Sequence, residues 1–212
     1  MLFARITGLF ENRNSLNLVS EDLWLLERYY RDFMHAGAHL DEVNRENLKR
    51  LNEQLSRLET QFSKNLLADT NDLAVIVDDL TQLDGLSTNE IASAANSAAD
   101  RALTGKWIIG AVNFTGNPVL ASLRNRELRQ RIMEASLLKG NRDNENDNKS
   151  ILLQMANLRA ERAQLFGVRT HAEYVIQEQT ATHPDKVHKM RCRWPAGRRS
   201  SASCSRSAAS SR

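Results

Sequence analysis

Cysteine is almost absent: Cys192 and Cys204 are the only two, and both fall after Met190. The first 190 residues therefore contain no disulfide framework, and any core there must rest on packing. Long apolar runs are missing too, since none approaches the roughly 18 residues that would span a bilayer. The opening segment, Met1 to Phe10, has no A-x-A cleavage site and runs into Glu11, which makes a poor secretory signal. A cytoplasmic chain with no membrane contact is the expectation. No internal repeat of solenoid period is present. Acidic residues vanish from Arg191 onward, where seven Ser, six Arg and four Ala crowd into RCRWPAGRRSSASCSRSAASSR.

That last absence explains the net charge. The whole chain carries 29 basic and 26 acidic residues, or +3, but without the six tail arginines the balance is 23 to 26, or −3. Only Trp194 could anchor the tail, so residues 188–212 are expected to be a disordered Arg/Ser-rich segment. Its composition fits out-of-frame reading of a GC-rich gene. Repeated RS or RGG units and interleaved aromatics are missing, so nucleic acid is not an expected partner.

What remains, 212 residues less the tail and 41% hydrophobic overall, suffices for one sizeable core or two small ones. Helical spacing dominates. Ser20 with Glu21 and Asp22 starts a helix that stops near Gly37, and Leu23, Leu26 and Tyr30 share one face. A longer helix from about Asp41 carries an apolar stripe of Val43, Leu48, Leu51, Leu55, Leu58 and Phe62. The two are expected to pair antiparallel. Leu73 to Val77 and Trp107 to Val112 read as short strands, being β-branched and brief. Ser87 and Glu90 have capping-box spacing ahead of an Ala-rich helix ending near Gly105. Asn117 and Pro118 read as a helix start. Further helices are expected over Leu128–Leu138, Ser150–Phe166 and Thr170–Gln179, with Gly140 and Gly167 at helix ends, and another after Pro184.

The chemistry these residues offer is thin. Zinc hydrolases set two His one helical turn apart with Glu beside the first, so that both rings face the metal and the carboxylate activates its water. Of His35, His39, His171, His183 and His188, only His35 and His39 are four apart. Ala36 follows His35 where Glu is needed, and Gly37 interrupts the turn, so both read as surface or capping histidines. His183 and His188 are five apart across Pro184. Thr115 to Pro118 (TGNP) is a turn and cap rather than a phosphate loop. Asp78 with Asp79, and Asp143 with Glu145 and Asp147, read as solvated turns, the second lacking the Gly and terminal Glu of a calcium loop. The sequence thus nominates no catalytic, cofactor-binding or metal-ligating residue.

Several blocks in one order nevertheless form a pattern. LLERYYRDFMHAGAHL at 25–40 precedes LKRLNEQLSRLETQFSKNLLADTND at 48–72 and IVDDLTQLDGLS at 76–87. GKWIIGAVNFTGNPVLASLRNRELRQRIMEASLLKG follows at 105–140, then NRDNENDNKSILLQMANLRAERAQLFG at 141–167 and HAEYVIQEQTA at 171–181. In this order and spacing they resemble the thimet oligopeptidase family of zinc peptidases, the bacterial peptidyl-dipeptidase (dipeptidyl carboxypeptidase) subgroup above all. The resemblance runs from about Leu2 to Val187. It implies a mainly α fold, the helical N-terminal part of a zincin-type oligopeptidase with at most a small two-stranded β element. It implies a hydrolase of oligopeptides whose zinc sits on an HExxH helix and a downstream Glu, none of which has a counterpart here. Residues 1–187 then read as a partial helical domain of a metalloprotease, inactive alone, binding no zinc and lacking its catalytic half as partner. Such helices are expected to leave apolar faces exposed. The alternative is a non-enzymatic helical interaction module with a basic tail.

Overall fold

The computed structural model describes residues 2–111 and 113–193. It is mainly helical with one small sheet, as expected. The chain divides into two compact units: a terminal unit of residues 1–53 and 157–212, and a central unit of residues 54–156.

The terminal unit begins with α1 (Leu2–Glu11) and α2 (Ser20–His35). Their contact is aromatic. Phe10 stacks on Tyr30 with ring centroids 3.8 Å apart, and Phe3 lies 5.8 Å from Phe33. This corrects the expected pairing, because α2 packs chiefly on α1 rather than on the helix that follows. An apolar stripe states that a helix needs a partner but not which one. Ser20 is the first helical residue rather than the cap; Val19 holds that place and makes no side-chain cap bond. Trp24, Leu25 and Tyr29 stay exposed on α2, as do Leu2 and Leu9 on α1.

The chain leaves α2 through Gly37 (φ +85°), where a Cβ would meet Leu48 Cδ2 at 2.6 Å. Only glycine has both the freedom and the space for that turn. Helix α3 (Glu42–Asp72) follows, with Asp41 Oδ1 accepting from Asn44 N at its start. Its stripe buries Leu48, Leu51 and Leu55, whereas Val43 is 72% exposed and outside it.

In the central unit, β1 (Val75–Val77) and β2 (Trp107–Ile109) pair antiparallel, Ile76 opposite Ile108. Helix α4 (Thr88–Ala99) packs on β2 and carries the full capping box at Ser87 and Glu90, but ends before Gly105. Helix α5 (Asn113–Ser122) begins four residues ahead of the expected start, so Thr115 to Pro118 lie within it. Asn125 caps α6 (Arg126–Leu138). The core gathers Val75, Val77, Leu83, Ile109, Leu123, Leu128 and Ile132. Helix α7 (Lys149–Leu165) starts in this unit and ends in the terminal one.

Gly140 and Gly167 adopt left-handed φ after α6 and α7. The short α8 (His171–Ile176) starts at its Thr170 cap. Helix α9 (Pro184–Arg193) runs past residue 188, where the sequence placed the start of the tail. The rest of that expected disordered tail, with Trp194 and Cys204, lies outside the described residues.

Candidate functional site

Two groups of polar side chains stand out, one in each unit. In the terminal unit Tyr174 is the hub. It lies one turn into α8, which Thr170 starts by accepting from Glu173 N at 3.1 Å. The Tyr174 hydroxyl donates to the His35 carbonyl at 2.9 Å. In return, His35 Nε2 lies 2.8 Å from the Tyr174 carbonyl. A carbonyl only accepts, so Nε2 carries the proton. The two rings stack at 3.9 Å, with Phe166 against Tyr174 at 4.8 Å. Arg162 lays its guanidinium 5.2 Å from the Tyr174 centroid and donates to Asn52 Oδ1 at 3.1 Å. Burial pushes the Tyr174 hydroxyl pKa up, against the opposing pull of Arg162.

His171 stacks on the same tyrosine at 6.2 Å. Its Nδ1 is buried without a hydrogen-bond partner among the described residues, as is Arg162 Nε. Its pKa is lowered first by burial, then by the positive charges of Arg162 and Arg159.

These observations test whether the histidines fit a zinc ion, and they do not. The Nε2 of His35 is committed to a backbone carbonyl. His39 lies beyond the Gly37 turn, exposed, its ring 5.9 Å from Phe166. His171 faces two guanidinium groups, which repel a dication. His35 is also not the surface or capping residue the sequence suggested: it is half-buried in an aromatic cluster closed by a tyrosine 139 positions away. His183 accepts from Asp185 N at 3.2 Å through Nδ1, while His188 is exposed on α9.

The central unit places its polar groups against the second half of α3. Asp69, fully buried, accepts from Gly140 N at 2.7 Å and from Arg142 Nη1 at 3.1 Å. Asn148 donates to the Phe62 carbonyl at 3.1 Å and accepts from Asn65 at 3.1 Å. The loop from Gly140 to Asn148 is thereby tied down at both ends. Sequence reasoning passed over these residues, yet a signal existed. Asn65 and Asp69 continue the Leu51, Leu55, Leu58, Phe62 stripe at helical spacing, where buried polar groups need partners.

Within that loop a lysine already bridges two of the three carboxylates of the acidic turn. Lys149 Nζ sits 2.7 Å from Asp143 Oδ1, 2.9 Å from Asp147 Oδ2 and 3.0 Å from Asn141 Oδ1. Its ammonium occupies the place a cation would take. The Lys149 hydrogen bonds hold Asp147 at about 2 and raise the pKa of Lys149 itself, through Asp143 first. Asp78 pairs with Lys106 at 2.8 Å, and Asp79 accepts from the Thr81 hydroxyl and N–H, which lowers its pKa. A cavity of about 360 Å³ opens by α4 and β2, lined by Leu86, Ala94, Ile108 and Val119 with Glu90 and Arg101.

The hydroxyls that donate to a carboxylate, Ser87 to Glu90 and Thr81 to Asp79, do so as helix caps, so what this arrangement does is hold helices in place. The comparisons with known proteins supply the class. Residues 119–191 match the model of Peptidase family M3, and the blocks upstream extend the similarity over most of the chain. The family match covers 73 of the 212 residues. It is 35% identical over 184 residues to the dipeptidyl carboxypeptidase of Escherichia coli, which covers 87% of this chain and 27% of that protein. The dipeptidyl carboxypeptidase of Salmonella typhimurium is 34% identical over 183 residues, 86% of this chain and 27% of the relative. A protein of Arabidopsis thaliana described as a probable cytosolic oligopeptidase A is 28% identical over 164 residues, 74% and 23% of the two chains. The chain thus spans about a quarter of the length of these curated relatives.

Proposed function

We propose that this chain is a helical, non-catalytic part of a zinc metallopeptidase that removes C-terminal dipeptides from oligopeptides in the cytoplasm. The observation carrying the reading is the 35% identity to a dipeptidyl carboxypeptidase along nearly the whole chain. The substrate class follows from that relative's name, and the location is in keeping with the cytosolic oligopeptidase. The zinc follows from the family resemblance. It is assigned outside this chain, because the 212 residues contain no HExxH and the histidines present do not fit the ion. Metallopeptidase chemistry needs a metal with an open position and a carboxylate within hydrogen-bond reach of its water. The residues here contribute neither. Their part is to present folded helices to the segment that does, and that segment is the expected partner.

The test is hydrolysis of an N-blocked tripeptide with zinc present. The purified chain alone is expected to release no dipeptide. Release is expected once the separately expressed remainder of the Escherichia coli relative is added, above the level that remainder shows by itself. Chelator-sensitive turnover copurifying with this chain alone would overturn the reading, and so would a remainder whose activity is indifferent to it.

A further inference from the structure

The geometry points to α8 as an acid-released latch: protonation of His171 frees this helix from the C-terminal end of α2. Helix α8 has six residues, none fully buried, so little apolar burial holds it. It is flanked by Gly167 and Thr182, both in the left-handed region where the chain reverses. Its attachment is the Tyr174 hub, with two reciprocal hydrogen bonds to His35 and a ring stacked on His35 and His171 and tilted against Phe166.

His171 is the weak point of that hub. The Nδ1 atom is buried and has no partner among the described residues, so a proton arriving there gains no hydrogen bond. The charges nearest to it are also the wrong sign. From α7, Arg159 and Arg162 contribute positive charge, and Arg162 stays over the Tyr174 ring. From α2 the hub receives His35, whose Nε2–H is already donated. On α8 itself the nearest carboxylate, Glu173, is bound by Arg169 through its backbone N–H at 2.8 Å and its guanidinium at 3.0 Å. From α9, which packs on α8, Asp185 lies beside His183 and Lys186 donates to Thr182. An imidazolium at 171 would therefore add a third positive charge to those of Arg159 and Arg162, with no hydrogen-bond partner for its Nδ1 among the described residues.

The sign follows from linkage. Burial and the arginines depress the docked His171 below its ordinary 6.5, so the released state binds the proton better. Docking is at full strength above pH 6.5 and weakens as pH falls below it. The loss grows by at most about tenfold per pH unit, until the docked histidine also titrates.

The experiment is hydrogen exchange on the full chain between pH 7.5 and 5.5, corrected for intrinsic rates. The reporters are the Tyr174 and Gln177 amides, bonded to Thr170 O and Glu173 O. Wild-type protection should fall several-fold, by no more than about tenfold, while amides of α4 hold steady. His171→Phe keeps an aromatic ring without a titratable nitrogen and should show a flat profile. Constant wild-type protection, or an unchanged slope in His171→Phe, would overturn the inference. Should that variant fail to fold, an NMR titration of wild type decides. A His171 midpoint below 6.5, matched by the shifts of α8 amides, supports the latch, and a midpoint at or above 6.5 refutes it. No hydrolysis is measured, so the result is independent of the peptidase reading.

Discussion

The two units are stabilised differently. The central unit closes around branched aliphatic side chains from two strands and two helices, with Leu128 and Ile132 each 1% exposed. The terminal unit buries Leu40, Leu48, Leu51 and Ala163, yet none of the residues of α1, α2 and α8. Those three helices are attached by rings and a few hydrogen bonds, and they leave Trp24, Leu25, Tyr29 and Val175 exposed. Aliphatic burial tolerates neither acid nor base as a switch, because it involves no titrating group. A ring cluster containing His35 and His171 does involve them, and its attachment strength can change with pH. Exposed apolar side chains occur in the central unit as well, among them Leu67, Leu137, Leu152 and Leu153, so the surface that a further segment of a peptidase would cover under the reading above is not confined to one unit.

The contrast is broken most directly at Ile132. Truncation to Ala is expected to cost about 3 kcal/mol through lost burial and the cavity left behind, read as a lower urea midpoint. A loss under about 1 kcal/mol would mean that the central core relaxes far more than its packing implies. Next comes Asp69→Ala, expected to cost about 2 kcal/mol, because Gly140 N–H loses its buried partner and Arg142 keeps only Asp72, at 3.6 Å. Exchange should rise first in the 140–148 loop. An unchanged loop would show that Asn148 alone suffices to hold it. Tyr174→Phe removes a single bond, to the His35 carbonyl, and should cost about 1 kcal/mol. That loss belongs to the terminal unit, so exchange should quicken in α8 and stay constant in β1 and β2.

How much of this was legible beforehand depended on whether the signal was local. The Ser87–Glu90 box, the helix expected over Leu128–Leu138, the two strands and the glycine stops at 37, 140 and 167 were all readable, because each depends on residues within a few positions, whereas the Asn125 cap of that helix was passed over. The α1–α2 pairing was not, since it is decided by which aromatic rings meet in space. Pro118 misled: proline favours a first turn, but here α5 begins earlier and includes it. The histidine cluster was the least accessible of all. The i, i+4 spacing drew attention to His35 with His39, whereas the actual companions of His35 are Tyr174 and, through it, His171. Nothing in a single sequence links positions 35 and 174. The family, by contrast, was legible without any catalytic residue, because block order persists where no single motif does.

The smallest expected effect is also the one whose pH dependence is simplest to isolate. Asp147 is held at about 2, first by its hydrogen bond with Lys149, against an ordinary value of 3.8. A carboxyl depressed in this way contributes stability that is fully present above 3.8 and is lost as pH falls through about 2. The Asp147 side chain is 16% exposed, but Lys149 and Asp143 around it are open to solvent, which screens the interaction and keeps its contribution small. Urea midpoints of wild type and Asp147→Asn, measured across pH 6 to 2, isolate it, since every other carboxyl titrates in both proteins. The wild-type advantage should stay level down to about pH 4 and then shrink toward zero. An advantage that persists undiminished at pH 2 would show that the turn is held by the backbone bonds around residue 147 and not by its charge. It would also imply that Lys149 is fixed by Asp143, the contact that dominates the raised pKa of the lysine. That outcome would make the loop a second region of the central unit insensitive to acid, leaving pH response to the terminal unit alone.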